Sequence, residues 1–151
     1  MKAQKGILIA LLFISWNSFS QIWTKIEAKD GIHYITDNRD NINIPLLGTY
    51  LFEGKEPIVQ LDKYGVGFYQ LHEQPKRPIK WGLECDENGA LLYKKGFDNS
   101  KYILWYQYST PNPDDEEDAQ WKTVELTIHF NTKKMFIQGE RVKDYTEPKS
   151  K

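Results

Sequence analysis

Cysteine is nearly missing from this sequence: Cys85 is the only one. One thiol cannot close an internal disulfide, make a C-x-x-C redox pair or supply a cysteine-rich zinc site. A G-x-S-x-G elbow and a phosphate-cradling glycine loop are absent as well. The three histidines, His33, His72 and His129, stand far apart along the chain. No charge of one sign dominates, with 20 Lys and Arg against 21 Asp and Glu. That balance argues against nucleic acid, whose binding asks for a concentrated basic face. These absences leave no cofactor to expect and no catalytic residue to assign, so the chain reads as non-enzymatic. Paired carboxylates for glycoside chemistry are set by distance in space, which a sequence does not display.

Long apolar runs are also lacking. The one candidate, Gly6 to Trp16, is interrupted only by Ser15 and follows Lys2 and Lys5. As a helix it would be about 16 Å long at about 1.5 Å per residue, against a hydrocarbon core of roughly 30 Å. Positive charge, a short apolar stretch, then small and polar residues to Ser20 is the order of a secretory signal peptide, expected to be cut after Ser20. The implied destination is the periplasm or the extracellular space. With no cysteine at the new N-terminus to carry lipid, no stable membrane anchor is expected. Losing Lys2 and Lys5 leaves 18 basic against 21 acidic residues. Residues 21–145 have the length of one ordinary domain, with a short polar tail at 146–151.

What the chain has in abundance is aromatic residues and alternation. All nine tyrosines, with Trp23, Trp81, Trp105 and Trp121, lie beyond the signal segment, and such residues favour strands. Alternation is clearest over 121–130, where Val124, Leu126, Ile128 and Phe130 interleave with Thr123, Glu125, Thr127 and His129. Further strands are expected at 22–28, 32–36, 47–53, 57–62, 66–73, 79–85, 90–95, 102–109 and 134–140. Asp30-Gly31, Asp62 to Gly65, Asn88-Gly89 and Asp98-Asn99 punctuate them as turns. Strands every eight to twelve residues through short connections predict an all-β, antiparallel up-and-down meander, closed as a barrel or stacked as a β-sandwich. The longer connection at 37–45 sets an N-terminal hairpin apart from the main sheet.

Leu47-Gly48-Thr49-Tyr50 resembles the G-x-W opening strand of lipocalin-like (calycin-type) barrels, with Tyr50 in place of the tryptophan. Asp62 to Gly67 is similar to the D-G-x-G turn of many small lipocalin-like domains, and Lys80-Trp81 and Tyr102 to Tyr108 fit the later strands. The resemblance spans about residues 47–145 and implies a closed antiparallel barrel with an internal apolar cavity.

Several groups of residues have two readings. Cys85 shares strand parity with Trp81 and Leu83, so it reads as buried and inert rather than as a nucleophile. His72 and Glu73 point to opposite faces of an extended strand, and Pro75 and Pro78 forbid the helix a zincin site needs. Lys76, Arg77 and Lys80 read as solvated charges on a stiff connector, with an anion-binding rim as the alternative. Asp114 to Asp118 reads as a solvated acidic loop, since five consecutive carboxylates without glycine lack calcium-loop geometry. On 102–109, Tyr102, Leu104, Tyr106 and Tyr108 share one face, with Ile103, Trp105 and Gln107 on the other.

Parity over the whole meander proposes an inward set of Tyr50, Phe52, Val59, Leu61, Phe68, Trp81, Leu83, Leu104, Tyr106, Val124, Leu126 and Ile128, none of them charged. Tyr50, Phe68, Trp81, Leu104 and Tyr106 are the ligand-binding candidates. The expected function is an exported, non-enzymatic barrel holding a small apolar or amphipathic ligand. The alternative is an exported protein-interaction module acting through its surface. An open cavity lined by uncharged side chains favours the first, and a filled core with an exposed aromatic patch the second.

Overall fold

The computed structural model describes residues 22–37 and 42–148. The segment expected to be a signal peptide, 1–20, the end of the tail and part of the 37–45 connection lie outside the described residues. Among the described residues eleven strands form: β1 (Thr24–Ala28), β2 (Gly31–Thr36), β3 (Gly48–Phe52), β4 (Lys55–Asp62), β5 (Val66–Tyr69), β6 (Arg77–Cys85), β7 (Tyr93–Lys95), β8 (Asn99–Tyr108), β9 (Lys122–His129), β10 (Lys134–Ile137) and β11 (Arg141–Asp144). All pairing is antiparallel. The strands from β3 to β6 and from β8 to β11 run up and down, and β11 returns to β3 through Arg141↔Phe52 and Val142↔Leu51. This closes an eight-stranded barrel, so the fold is not a sandwich.

Closure follows from β8, which at ten residues outruns its partner. Its C-terminal half pairs with β6, Ile79↔Tyr108 through Leu83↔Leu104, and its N-terminal half with the short β7, Tyr93↔Tyr102. Between β6 and β7 the chain turns at Asn88-Gly89, where Asp86 Oδ1 accepts the Asn88 and Ala90 amides at 2.8 and 3.0 Å. The β3–β4 turn has positive φ at both Glu53 and Gly54, 47° and 77°, the signature of the type I′ hairpin.

Two expected boundaries change. The strand foreseen over 66–73 stops at Tyr69, because the Gln74 amide donates to Leu71 O at 3.1 Å and Glu73 turns to φ 60°. Beyond Ile137 the chain turns through Gln138 and Gly139, both at positive φ, into β11. Its sequence, Arg-Val-Lys-Asp, has no apolar alternation to announce it.

The inward side chains of seven barrel strands, β3 to β6 and β8 to β10, with Leu46, form one continuous cluster whose buried members are at most 6% exposed. Tyr69 and Tyr106 stack inside it with centroids 4.4 Å apart, and Tyr106 meets Tyr108 edge-on at 5.9 Å. The interior also holds a cation missing from the uncharged inward set. Arg141 is fully buried, donating to Gln70 O at 2.8 Å, to Glu140 Oε1 at 2.6 Å and to Gln138 Oε1 at 3.2 Å. Its guanidinium stands 5.1 Å from the Tyr69 ring, so one end of the barrel is sealed by polar bonding and tyrosine.

The β1–β2 hairpin lies against the outside of the barrel, its edge joined to β6 through Tyr34↔Cys85, Ile35↔Glu84 and Thr36↔Leu83. Ile26, Ile35 and Trp105 make a second buried cluster beneath it. Gly82 is what admits the hairpin so closely, since a Cβ there would sit 2.9 Å from the Ile35 side chain.

Candidate functional site

The end of the barrel opposite Arg141 is where β3 begins and β6, β9 and β11 end. Residues 42–47 cross this mouth. Leu46 drops into the core at 2% exposure. The crossing is pinned from both sides, with the Tyr50 hydroxyl donating to Leu46 O at 2.7 Å and Lys143 Nζ donating to Pro45 O at 2.7 Å. Burial lowers the pKa of Lys143 and raises that of Tyr50.

Ile44 separates two clefts at this mouth. The smaller, of about 290 Å³, is lined by Asp37, Ile42, Leu46, Leu47, Trp81 and Lys143, among others. The larger, of about 640 Å³, is a groove lined by Leu91, Tyr93, Tyr102, Phe130 and Tyr145 along with Ile44. Its rings are paired: Tyr93 stacks on Tyr102 at 5.3 Å, and Phe130 meets Tyr145 edge-on at 5.8 Å. Among the described residues Lys95 is its one charged side chain, and Ser100, Asn43 and the tyrosine hydroxyls are its polar groups. Small-molecule sites are commonly about 300–1,000 Å³ in volume; this groove has that volume, and its wall mixes aromatic rings with about as much polar surface.

The five residues expected to bind ligand are not gathered round one opening. Tyr50, Trp81, Leu104 and Tyr106 all point inward and are buried in the filled core. Trp81 alone reaches a cleft, the smaller one, while its indole donates to Val66 O at 2.7 Å. Phe68 is on the outside, 38% exposed, with Lys76 Nζ 5.9 Å from its ring. The register explains this correction. Three residues between Asp62 and Val66 pair Leu61 with Gly67 and Gln60 with Phe68, so Phe68 shares the face of Gln60, not that of Leu61. Phe52, also assigned inward, is only half-buried at the strand end, edge-on to His72 at 4.8 Å.

The sequence reading passed over Tyr93, Phe130 and Tyr145 as site residues. The available signal was that Phe130 continues the inward parity of Val124, Leu126 and Ile128 one step past the end of β9. Such residues keep the inward direction but leave the packed core, and so line its mouth.

Outside the barrel, His33 bridges hairpin and wall. Its Nδ1 lies 2.9 Å from Glu84 Oε1 and its Nε2 3.0 Å from Asp30 Oδ1, with the ring 4.5 Å from that of Trp105. Burial by itself lowers the imidazole pKa, but the hydrogen bonds and charges of Glu84 and Asp30 outweigh it and raise the pKa above the ordinary value.

The acidic loop is anchored, not simply solvated. Asp118 accepts from Arg77 Nη1 at 2.8 Å and Nη2 at 2.5 Å, and from the Asn112 amide at 2.6 Å. The Arg77 hydrogen bond, first among these causes, holds the carboxyl well below the usual range. Arg77 also lies 3.6 Å over the Tyr108 ring, which makes it a structural clamp. Cys85 is buried, and burial, with Asp86 and Glu84 nearby, pushes its thiol up to about 11. Among the described residues no cluster of three His, Cys, Asp or Glu side chains is arranged to hold a metal.

Compared with known proteins, the chain matches no family model, no curated protein and no solved structure.

Proposed function

We propose that this chain is an exported, non-enzymatic binding protein that takes an amphipathic ligand in the aromatic groove at the barrel mouth. The observation that carries the reading is the groove: about 640 Å³, four aromatic rings in two contacting pairs and, among the described residues, a single charged side chain, Lys95. Aromatic rings interspersed with hydroxyls, beside one cation, suit an amphiphile whose head group is anionic. An eight-stranded up-and-down barrel is also the architecture of lipocalin-like ligand carriers, which supports the kinship suggested by Leu47 to Tyr50. This barrel differs in where the ligand goes. Its interior is packed with side chains, so the ligand rests on the core rather than within it.

A fluorescent naphthalene-sulfonate dye, anionic and apolar, tests the reading. Saturable enhancement is expected for the wild type and marked weakening for Tyr93→Ala and Phe130→Ala. Both side chains are exposed enough for truncation to leave the fold intact. Absence of saturable binding, or equal binding by all three proteins, would exclude the groove. The surface protein-interaction reading would then stand in its place.

A further inference from the structure

The β7–β8 hairpin projects beside the groove, and its turn ends in Phe97, which is fully exposed. Tyr93 and Phe130, 57% and 38% exposed, continue an apolar surface from that tip to the groove. The turns are joined, since the Phe130 amide donates to Asp98 O at 2.8 Å. A solvent-facing aromatic at a hairpin tip contributes nothing to the core, and a contiguous exposed apolar patch marks a surface that meets something else.

Charge identifies the partner. The neighbouring lysines are engaged: Lys101 with Glu125 at 3.1 Å, Lys133 with Glu147 at 2.5 Å, and Lys134 with Asp144. Lys94 and Lys95 are exposed and have no ion pair among the described residues. Alternation along β7 puts them on opposite faces of the hairpin, flanking the tip. The one carboxylate of the turn, Asp98, is half-buried, with Asn99 Nδ2 at 3.5 Å. An apolar point between two uncompensated cations fits an interface that is anionic at its surface and apolar just below. We infer that this hairpin docks the barrel mouth reversibly on an anionic lipid bilayer, Phe97 entering the head-group boundary while Lys94 and Lys95 meet acidic head groups. The inference rests on the groove reading for its purpose, because docking brings the groove to the source of an amphiphilic ligand. A shallow, charge-dependent contact of this kind is not a stable anchor.

The test is co-sedimentation of the mature protein with unilamellar vesicles of phosphatidylcholine alone, or with about one-third phosphatidylglycerol. Binding to the anionic vesicles should exceed binding to the neutral ones by about tenfold and vanish at high salt. Phe97→Ser and Lys94→Glu should each lower it about fivefold or more, with circular dichroism unchanged. Neither residue lines the groove, so both variants should keep dye binding. Equal binding to the two vesicle types, no binding, or binding indifferent to both substitutions would overturn the inference. So would a dimer in solution that Phe97→Ser dissolves without any vesicle binding, since the tip would then meet a second copy. Vesicle binding with dye binding lost would remove the groove reading and leave the docking surface standing.

Discussion

Leu126 and Thr127 are neighbours on β9 and both are buried, yet they face opposite sides of the barrel wall. Leu126 is fully enclosed in the core, whereas Thr127 lies on the outer face, covered there between Lys101 and Phe136. The alternation of 121–130 predicts the two directions correctly but not the cover over Thr127, which comes from strands remote in sequence. Leu126→Ala should cost about 2–5 kcal/mol. Thr127→Ala, losing one methyl and a hydroxyl bonded to Glu125 at 2.9 Å, should cost about 1 kcal/mol. Denaturant midpoints that shift equally would contradict this register. Cys85 shows the same logic in its chemistry. A thiol raised to about 11 is almost wholly protonated at neutral pH, and burial also keeps reagents out. A water-soluble disulfide reagent should label it slowly in buffer and quickly in denaturant, and fast labelling of the folded protein would show an accessible thiol.

Among the elements, the N-terminal hairpin is held in part through a histidine. His33 ties it to Glu84 of β6, and Lys29 in its turn reaches Glu117 of the acidic loop at 2.5 Å. With the folded His33 pKa raised above its unfolded value of about 6.5, this contact contributes its full stability below about pH 6.5. The contribution is then lost as pH rises through the folded pKa. Thermal midpoints followed upward from pH 6 should therefore fall more for the wild type than for His33→Gln, and parallel curves would show that the contact is not coupled to stability. The hairpin's separateness was legible from the 37–45 connection. Its docking on Gly82 and Trp105 was only hinted at, by the apolar mass on both faces of 102–109. Strand β11 was not legible, because it is held by pairing with β3 and β10 and by the buried Arg141 rather than by its own apolar content. Phe68 was misplaced for a related reason: a turn of three residues rather than two or four decides which face the next strand presents.

At the scale of the whole molecule, the barrel has unlike ends. One is sealed by Arg141, its carbonyl and carboxylate partners and the stacked tyrosines. The other is crossed by residues 42–47 and opens into the aromatic groove beside the Phe97 hairpin. The eight-stranded meander was readable in the alternation and turn residues, whereas the filling of its interior was not. Filling depends on how Tyr50, Tyr69, Trp81, Tyr102, Tyr106 and Tyr108, arriving from four different strands, divide one volume; parity reports only direction, and with Phe68 assigned inward it turned Tyr69 outward. The mouth escaped the same reading because its rings come from the ends of strands and from Tyr145 beyond the last of them. The central claim is that ligand binds at this mouth and not inside, and backbone amide chemical shifts recorded during titration with the naphthalene-sulfonate dye test it most directly. The account predicts perturbations concentrated at residues 43–44, 91–95, 100–102, 130 and 145, with little change at Val59, Leu83, Val124 and Leu126. Perturbations centred on those four core positions, or on the His33 and Trp105 face, would contradict it.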